Sequence, residues 1–134
     1  MVESVVGVDA AVAALLELAI GGGSDRVDQA LEPYRLGQVD VAVARADGEV
    51  VGVVGYIPDR DRTELVHIAT ASRVRRSGVG TALIAWVGEH CGSGVVEAQT
   101  DSESVGFYRA LGFEVESLGE LYPGVERFAV TLRG

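Results

Sequence analysis

Ser72-Arg73-Val74-Arg75-Arg76-Ser77-Gly78-Val79-Gly80-Thr81 is the stretch that decides how this chain is read. An apolar segment, 64–70, precedes it and reads as a strand buried on both faces. A second apolar segment, 78–89, follows and reads as a helix, with Ala82, Leu83, Ala85, Trp86 and Val87 on a broad face. Glycines at such a turn let backbone N–H groups approach an anion closely. The helix start adds the positive end of a dipole, and arginine adds full charge. Two readings follow, a pyrophosphate cradle and an ordinary tight turn with its arginines in water. The stretch alone supports both. It does not fit a dinucleotide fingerprint, because Leu83 stands at the third glycine position of G-x-G-x-x-G. A P-loop needs a lysine after its second glycine, and the chain has no lysine.

Upstream of the turn, Asp9 is a good N-cap for a helix over 10–20 that Gly21-Gly22-Gly23 ends. Ser24 would cap a second helix stopping near Pro33. Val39, Val41 and Val43 alternate with other residues and suggest a strand. Asp47-Gly48 signals a hairpin turn leading to a return strand over 50–57. Downstream, 95–100 reads as a strand and 102–111 as a helix stopped by Gly112. The segments 113–116 and 127–132 read as a last pair of strands. With a short strand at the start, the expected order is βααβββαβαββ. That is one α/β (α+β) domain over 1–134, with a mixed, mostly antiparallel sheet and helices on both faces.

The bulk properties agree with a globular enzyme or binding module. The chain has 134 residues, enough for one core, and is 48% hydrophobic. Its apolar runs are broken short of a membrane span. The start carries Glu3, Asp9 and Glu17 and no basic residue, unlike a signal peptide, so a cytoplasmic location is expected. The net charge of −9 argues against nucleic acid or an anionic membrane as partner. Cys91 is the only cysteine and offers neither an internal disulfide nor a cysteine metal site. Within this acidic chain, Arg73, Arg75 and Arg76 form a basic knot. The segment 1–33 is acidic, with Glu3, Asp9, Glu17, Asp25, Asp28 and Glu32 against Arg26.

With these residues in view, the chain resembles the GNAT superfamily of acetyl-CoA-dependent N-acetyltransferases. That family carries [RQ]-x-x-G-x-[GA], matched by Arg75-Arg76-Ser77-Gly78-Val79-Gly80. It also carries an Asn-x-x-Ala pattern leading through Tyr to Gly-Phe, matched by the stretch from Asp101 through Ser104, Phe107 and Tyr108 to Gly112-Phe113. One helix and one strand separate the two motifs, as in the family. The resemblance spans nearly the whole chain and is weakest over the first 35 residues or so. Two departures stand out: Asp101 replaces the usual Asn, and Ser104 the usual Ala. Asp accepts but does not donate a hydrogen bond, which bears on the family's contact to pantetheine.

The resemblance implies acetyl-CoA as co-substrate, no metal, and a small-molecule or protein amine as acceptor. It implies that backbone groups of Ile68 and Thr70 pair with pantetheine, and that the Ile68 N–H faces the thioester oxygen as an oxyanion donor. Arg75, Arg76, Gly78, Val79, Gly80 and Thr81 would hold the pyrophosphate, and Asp101 would touch the pantetheine arm. Tyr108 would protonate the departing thiolate, the alternative being that it packs beside Phe107 and Phe113. Glu64 would be the base, with His67 as runner-up and a water chain as a third route. A non-catalytic acetyl-CoA-binding module that regulates a partner protein is the competing reading. Dimers being the commonest oligomers, a homodimer is the default for a second copy.

Overall fold

The computed structural model describes residues 2–74, 77–91 and 94–133. Its elements are β1 (Val2–Val5), α1 (Ala10–Ile20), α2 (Ser24–Arg35), β2 (Asp40–Ala46), β3 (Glu49–Ile57), β4 (Thr63–Thr70), a 3-10 turn (Ser72–Val74), α3 (Val79–His90), β5 (Val95–Asp101), α4 (Val105–Ala110), β6 (Glu114–Tyr122) and β7 (Val125–Arg133). They gather into two compact units, one of residues 1–57 and 66–87, the other of 58–65 and 88–134. β4 contributes to both.

In the first unit, β1, β2 and β3 form an antiparallel ladder and β4 follows β3 in the sheet. Local signals build its elements. Asp9 Oδ1 accepts the Val12 N–H at 2.9 Å and starts α1. Asp47 and Gly48, at φ 53° and 82°, make the turn between β2 and β3, both positive as a type I′ turn requires. The two faces of the ladder differ in side-chain size. Val41, Val43 and Val53 pack with Val12, Leu15, Leu16, Leu31 and Tyr34 of α1 and α2. On the other face, Ala44 pairs with Gly52, and Val79 and Leu83 of α3 lie directly over Gly52. Small residues there let α3 lie close to the sheet, while Tyr56 meets Trp86 edge to face at 6.0 Å. Helices therefore cover both faces of this unit.

In the second unit, the start of β4 pairs in parallel with β5 at Thr63↔Val96 and Glu64↔Glu97. β5 pairs antiparallel with β7, and β7 with β6. Val96, Ala98 and Thr100 of β5 point inward and are buried, as are Val105, Tyr108, Phe113 and Val130. Glu97, Gln99 and Asp101 alternate with them along the strand.

Several elements differ from expectation. Pro33 lies inside α2, which begins at Ser24 after an N-cap at Gly23. A proline in the last turn costs only the ladder bond its missing N–H would donate, and its carbonyl still accepts the Gln38 N–H at 2.8 Å. β4 is buried at Thr63 and Leu65 but half-buried from Val66 to Thr70, and Glu64 is exposed. The buried face of α3 is Leu83, Ile84 and Val87, with Ala82 and Ala85 exposed. α4 is shorter than expected, because 102–104 form a turn. The last hairpin is longer, with register shifts at Ser117/Gly119 and Glu120/Tyr122.

Candidate functional site

The candidate residues divide between the units. In the first, β4 leads through the 3-10 turn to α3. Gly78 sits at φ 87°, a backbone region that disfavours any side chain, and space around its Cα is open. The first bond of the α3 ladder runs from the Ala82 N–H to the Gly78 carbonyl at 2.9 Å. The N–H groups of Val79, Gly80 and Thr81 therefore precede the ladder, the position from which backbone N–H groups can meet an anion. Ser77 closes the preceding turn: its N–H donates to the Val74 carbonyl at 3.2 Å and its hydroxyl donates to the same oxygen. This donor set suits a pyrophosphate. Arg75 and Arg76 lie outside the described residues. Arg73, the remaining member of the basic knot, is paired with Glu49 at 2.5 Å, so its charge is already balanced.

Ile68 and Thr70 are half-buried on β4. His67, immediately before Ile68, is held by a contact that sequence reasoning missed. The Tyr34 hydroxyl lies 2.7 Å from His67 Nδ1, and the two rings stack with centroids 5.8 Å apart. Burial lowers the His67 pKa below its ordinary value and raises that of Tyr34 far above the usual phenol range. Tyr34 has room because residue 55 is glycine: a Cβ there would overlap the Tyr34 hydroxyl. Gly52 has the equivalent role on the other face, where its missing side chain seats Val79 at the start of α3. The spacing of two glycines in Glu49–Ile57 was the available signal for both close approaches.

In the second unit, Glu64 lines a groove of about 180 Å³ with Glu97, Gln99, Ala129 and Thr131. Glu97, the register partner of Glu64, is engaged by Arg62 at 3.0 Å. No described residue pairs with the Glu64 carboxylate.

Asp101 ends β5. Its Oδ1 accepts the N–H groups of Glu103 at 3.1 Å and Ser104 at 2.9 Å. The turn into α4 thus needs an acceptor at 101, which Asp supplies as well as Asn would. Tyr108, 6% exposed, packs edge to face against both Phe107 and Phe113, each at 5.2 Å. No described group bonds its hydroxyl, and no buried polar side-chain atom among the described residues lacks a partner, so the hydroxyl reaches solvent. Burial first, and then the Asp101 charge, raise the Tyr108 pKa. The packing and the acid roles of Tyr108 are therefore compatible: the ring is fixed and the proton is held at its tip.

The acidic segment at the start of the chain is partly neutralised. Arg35 lies 3.6 Å from Asp28 and 3.9 Å from Glu32 on α2, and Arg45 lies 2.6 Å from Glu3. Among the described residues no group of His, Cys, Asp and Glu could hold a metal ion, and no helix is long and apolar enough to cross a membrane.

Comparison with known proteins gives a consistent result. The family described as "Acetyltransferase (GNAT) domain" matches residues 37–115, more than half of the chain. An IAA acetyltransferase from Bacillus cereus superposes with a TM-score of 0.77 at 19% identity, covering 100% of this chain and 99% of that one. A GNAT family acetyltransferase from Elizabethkingia anophelis with acetyl-CoA bound superposes with a TM-score of 0.75 at 19% identity, covering 100% and 97%. A Bacillus subtilis acetyltransferase in complex with CoA gives 0.75 at 21% identity, covering 99% and 97%. The sequence matches none of the curated proteins.

Proposed function

The chain belongs to the GNAT acetyltransferase family, with acetyl-CoA as co-substrate, and from that premise we propose that it acetylates a primary amine by direct attack in a ternary complex. In this reaction the neutral amine nitrogen forms a bond to the thioester carbonyl carbon. The C–S bond then breaks, the ammonium proton goes to a base, and the thiolate takes a proton from an acid. The observation that carries the reading is the start of α3, where Gly78 opens the backbone and the N–H groups of Val79, Gly80 and Thr81 precede the helix ladder. With Arg75 and Arg76 they would hold the pyrophosphate.

In this reading Ile68 and Thr70 offer backbone groups to pantetheine. Support comes from the short parallel pairing of β4 with β5, which uses only Thr63 and Glu64 of the strand. The Ile68 N–H is the oxyanion donor. Tyr108 is the acid, supported by its fixed ring and open hydroxyl. Glu64 is the base, directly or through water, supported by its unengaged carboxylate beside a groove. Asp101 keeps one oxygen in the α4 turn and has the other left for the pantetheine arm.

We further propose that residues 1–134 act as one domain, in the cytoplasm, on a small-molecule or protein amine. The binding half of the proposal is tested by melting the protein with acetyl-CoA, which should raise the transition temperature with concentration. Gly80→Leu should abolish the rise and leave a folded protein. No rise at about millimolar acetyl-CoA would sink the assignment.

A further inference from the structure

Tyr34 and His67 form a hydrogen-bonded pair that the chemistry above does not use. Tyr34, 4% exposed, stands in the last turn of α2, and His67 stands on β4 next to Ile68. The 2.7 Å contact joins the phenol oxygen to Nδ1 specifically. It has two proton arrangements. Either the phenol donates to a bare Nδ1, or Nδ1–H donates to the phenol oxygen. A phenol is a far better donor than a neutral imidazole N–H, and an imidazole nitrogen is a better acceptor than a phenol oxygen. The first arrangement therefore wins. It leaves the single ring proton of a neutral imidazole on Nε2.

We propose that Tyr34 is a positioning residue that holds His67 as the neutral Nε2–H tautomer, which excludes His67 as the base of the acetyl transfer and leaves that task to Glu64 or water. The proposal deepens the acetyl-transfer reading and rests on it for its meaning in catalysis. In the locked tautomer Nε2 has no lone pair to offer an ammonium proton, and the lone pair of Nδ1 is spent on Tyr34. Releasing Nδ1 would require the phenol to turn away, but its ring is held over Gly55, with Leu31 and Val41 in the same packed cluster. The direction of both titrations, driven by burial, keeps the pair neutral. The rings stack with 28° between their planes, which holds the imidazole against the phenol ring.

The test begins with the protein alone. The chain has two histidines, His67 and His90, so a His90→Gln variant labelled with ¹⁵N-histidine carries one imidazole signal set. A long-range ¹H–¹⁵N spectrum at neutral pH should show Nε2 protonated and Nδ1 bare. Tyr34→Phe keeps the ring over Gly55 and removes the donor, so the same spectrum should turn into a mixture of tautomers. Protonated Nδ1 in the parent, or an unchanged spectrum in Tyr34→Phe, would overturn the proposal. If Tyr34→Phe does not fold, the parent spectrum still decides. The kinetic arm uses His67→Asn, which offers Tyr34 an acceptor but cannot take a proton at neutral pH. With an amine that turns over, kcat should stay within about tenfold of the parent; a loss of about 10²–10⁴-fold with removal of the acid limb of the pH profile would make His67 the base. If no amine turns over, the acetyl-transfer reading fails, whereas the spectrum still settles the role of Tyr34.

Discussion

Val79, the first residue of α3, sits against Gly52 of β3 so closely that a Cβ on Gly52 would lie 2.6 Å from Val79 Cγ1. Leu83 would be 3.1 Å away. Gly52→Ala should therefore push the start of α3 outward. We expect a loss of about 1–3 kcal/mol in stability, as for other overpacked sites. Weaker acetyl-CoA binding should accompany it, because the displaced turn carries the N–H groups of Val79, Gly80 and Thr81. Gly88→Ala is the control: the position is exposed, and its Cβ would meet only Val96 at 4.0 Å. It should stabilise the helix by about 0.5–1 kcal/mol. Melting curves and acetyl-CoA titrations of both variants check the contrast.

Tyr108→Phe should preserve the packing against Phe107 and Phe113 and remove the proposed acid. We expect kcat to fall by about 10²–10⁴-fold with acetyl-CoA affinity nearly unchanged. The phenol titrates above its ordinary value of 10.0, so the parent should keep its activity on the alkaline side until beyond that value. Asp101→Asn retains the acceptor for the Glu103 and Ser104 amides and removes the charge. It should fold normally and move the alkaline limb to lower pH. Full kcat in Tyr108→Phe, with chemistry shown to limit turnover, would count against the acid.

Glu64→Gln should lose activity near neutral pH and recover as alkali deprotonates the amine in solution. Tyr108→Phe should not recover. A pH–rate profile of Glu64→Gln that parallels the parent throughout would reduce Glu64 to an exposed charge at the start of β4.

His67 predicts a pH dependence of stability. Its folded-state pKa lies below the ordinary 6.5, so the unfolded chain binds a proton more readily. The contribution of the neutral ring is fully present above 6.5 and is lost as the pH falls from there towards the folded-state value. The melting temperature of the parent should drop more between about pH 7 and pH 5 than that of His67→Asn. Equal slopes would show that His67 is not held neutral by the fold.

The acidic side chains of segment 1–33 would favour a cationic acceptor by charge complementarity, an expectation the acceptor's charge can test. Arg35 and Arg45 already engage three of these carboxylates, Asp28, Glu32 and Glu3. A strong preference for polycationic over neutral amines at low salt would restore that expectation; equal turnover would remove it.

The parts of the fold legible in the sequence were those set by near neighbours. Asp9 caps α1 three residues on, and Asp47-Gly48 carries its turn in its own backbone preferences. The Gly78-Val79-Gly80 turn was legible for the same reason. The extent of α4 was not, because Asp101 takes the amides of Glu103 and Ser104 into a turn that competes with helix. The pairs Arg73–Glu49 and Tyr34–His67 join distant segments, so no local pattern announces them. The register shifts of the last hairpin depend likewise on how β6 meets β7.

The most direct measurement of the central claim is mass spectrometry of a panel of primary amines incubated with the protein and acetyl-CoA, with free thiol counted in the same samples. The account predicts at least one acetylated amine, formed in step with CoA thiol and lost in Tyr108→Phe. Bound acetyl-CoA with no acetylated amine across the panel, or thiol release with no matching acetylated product, would contradict it.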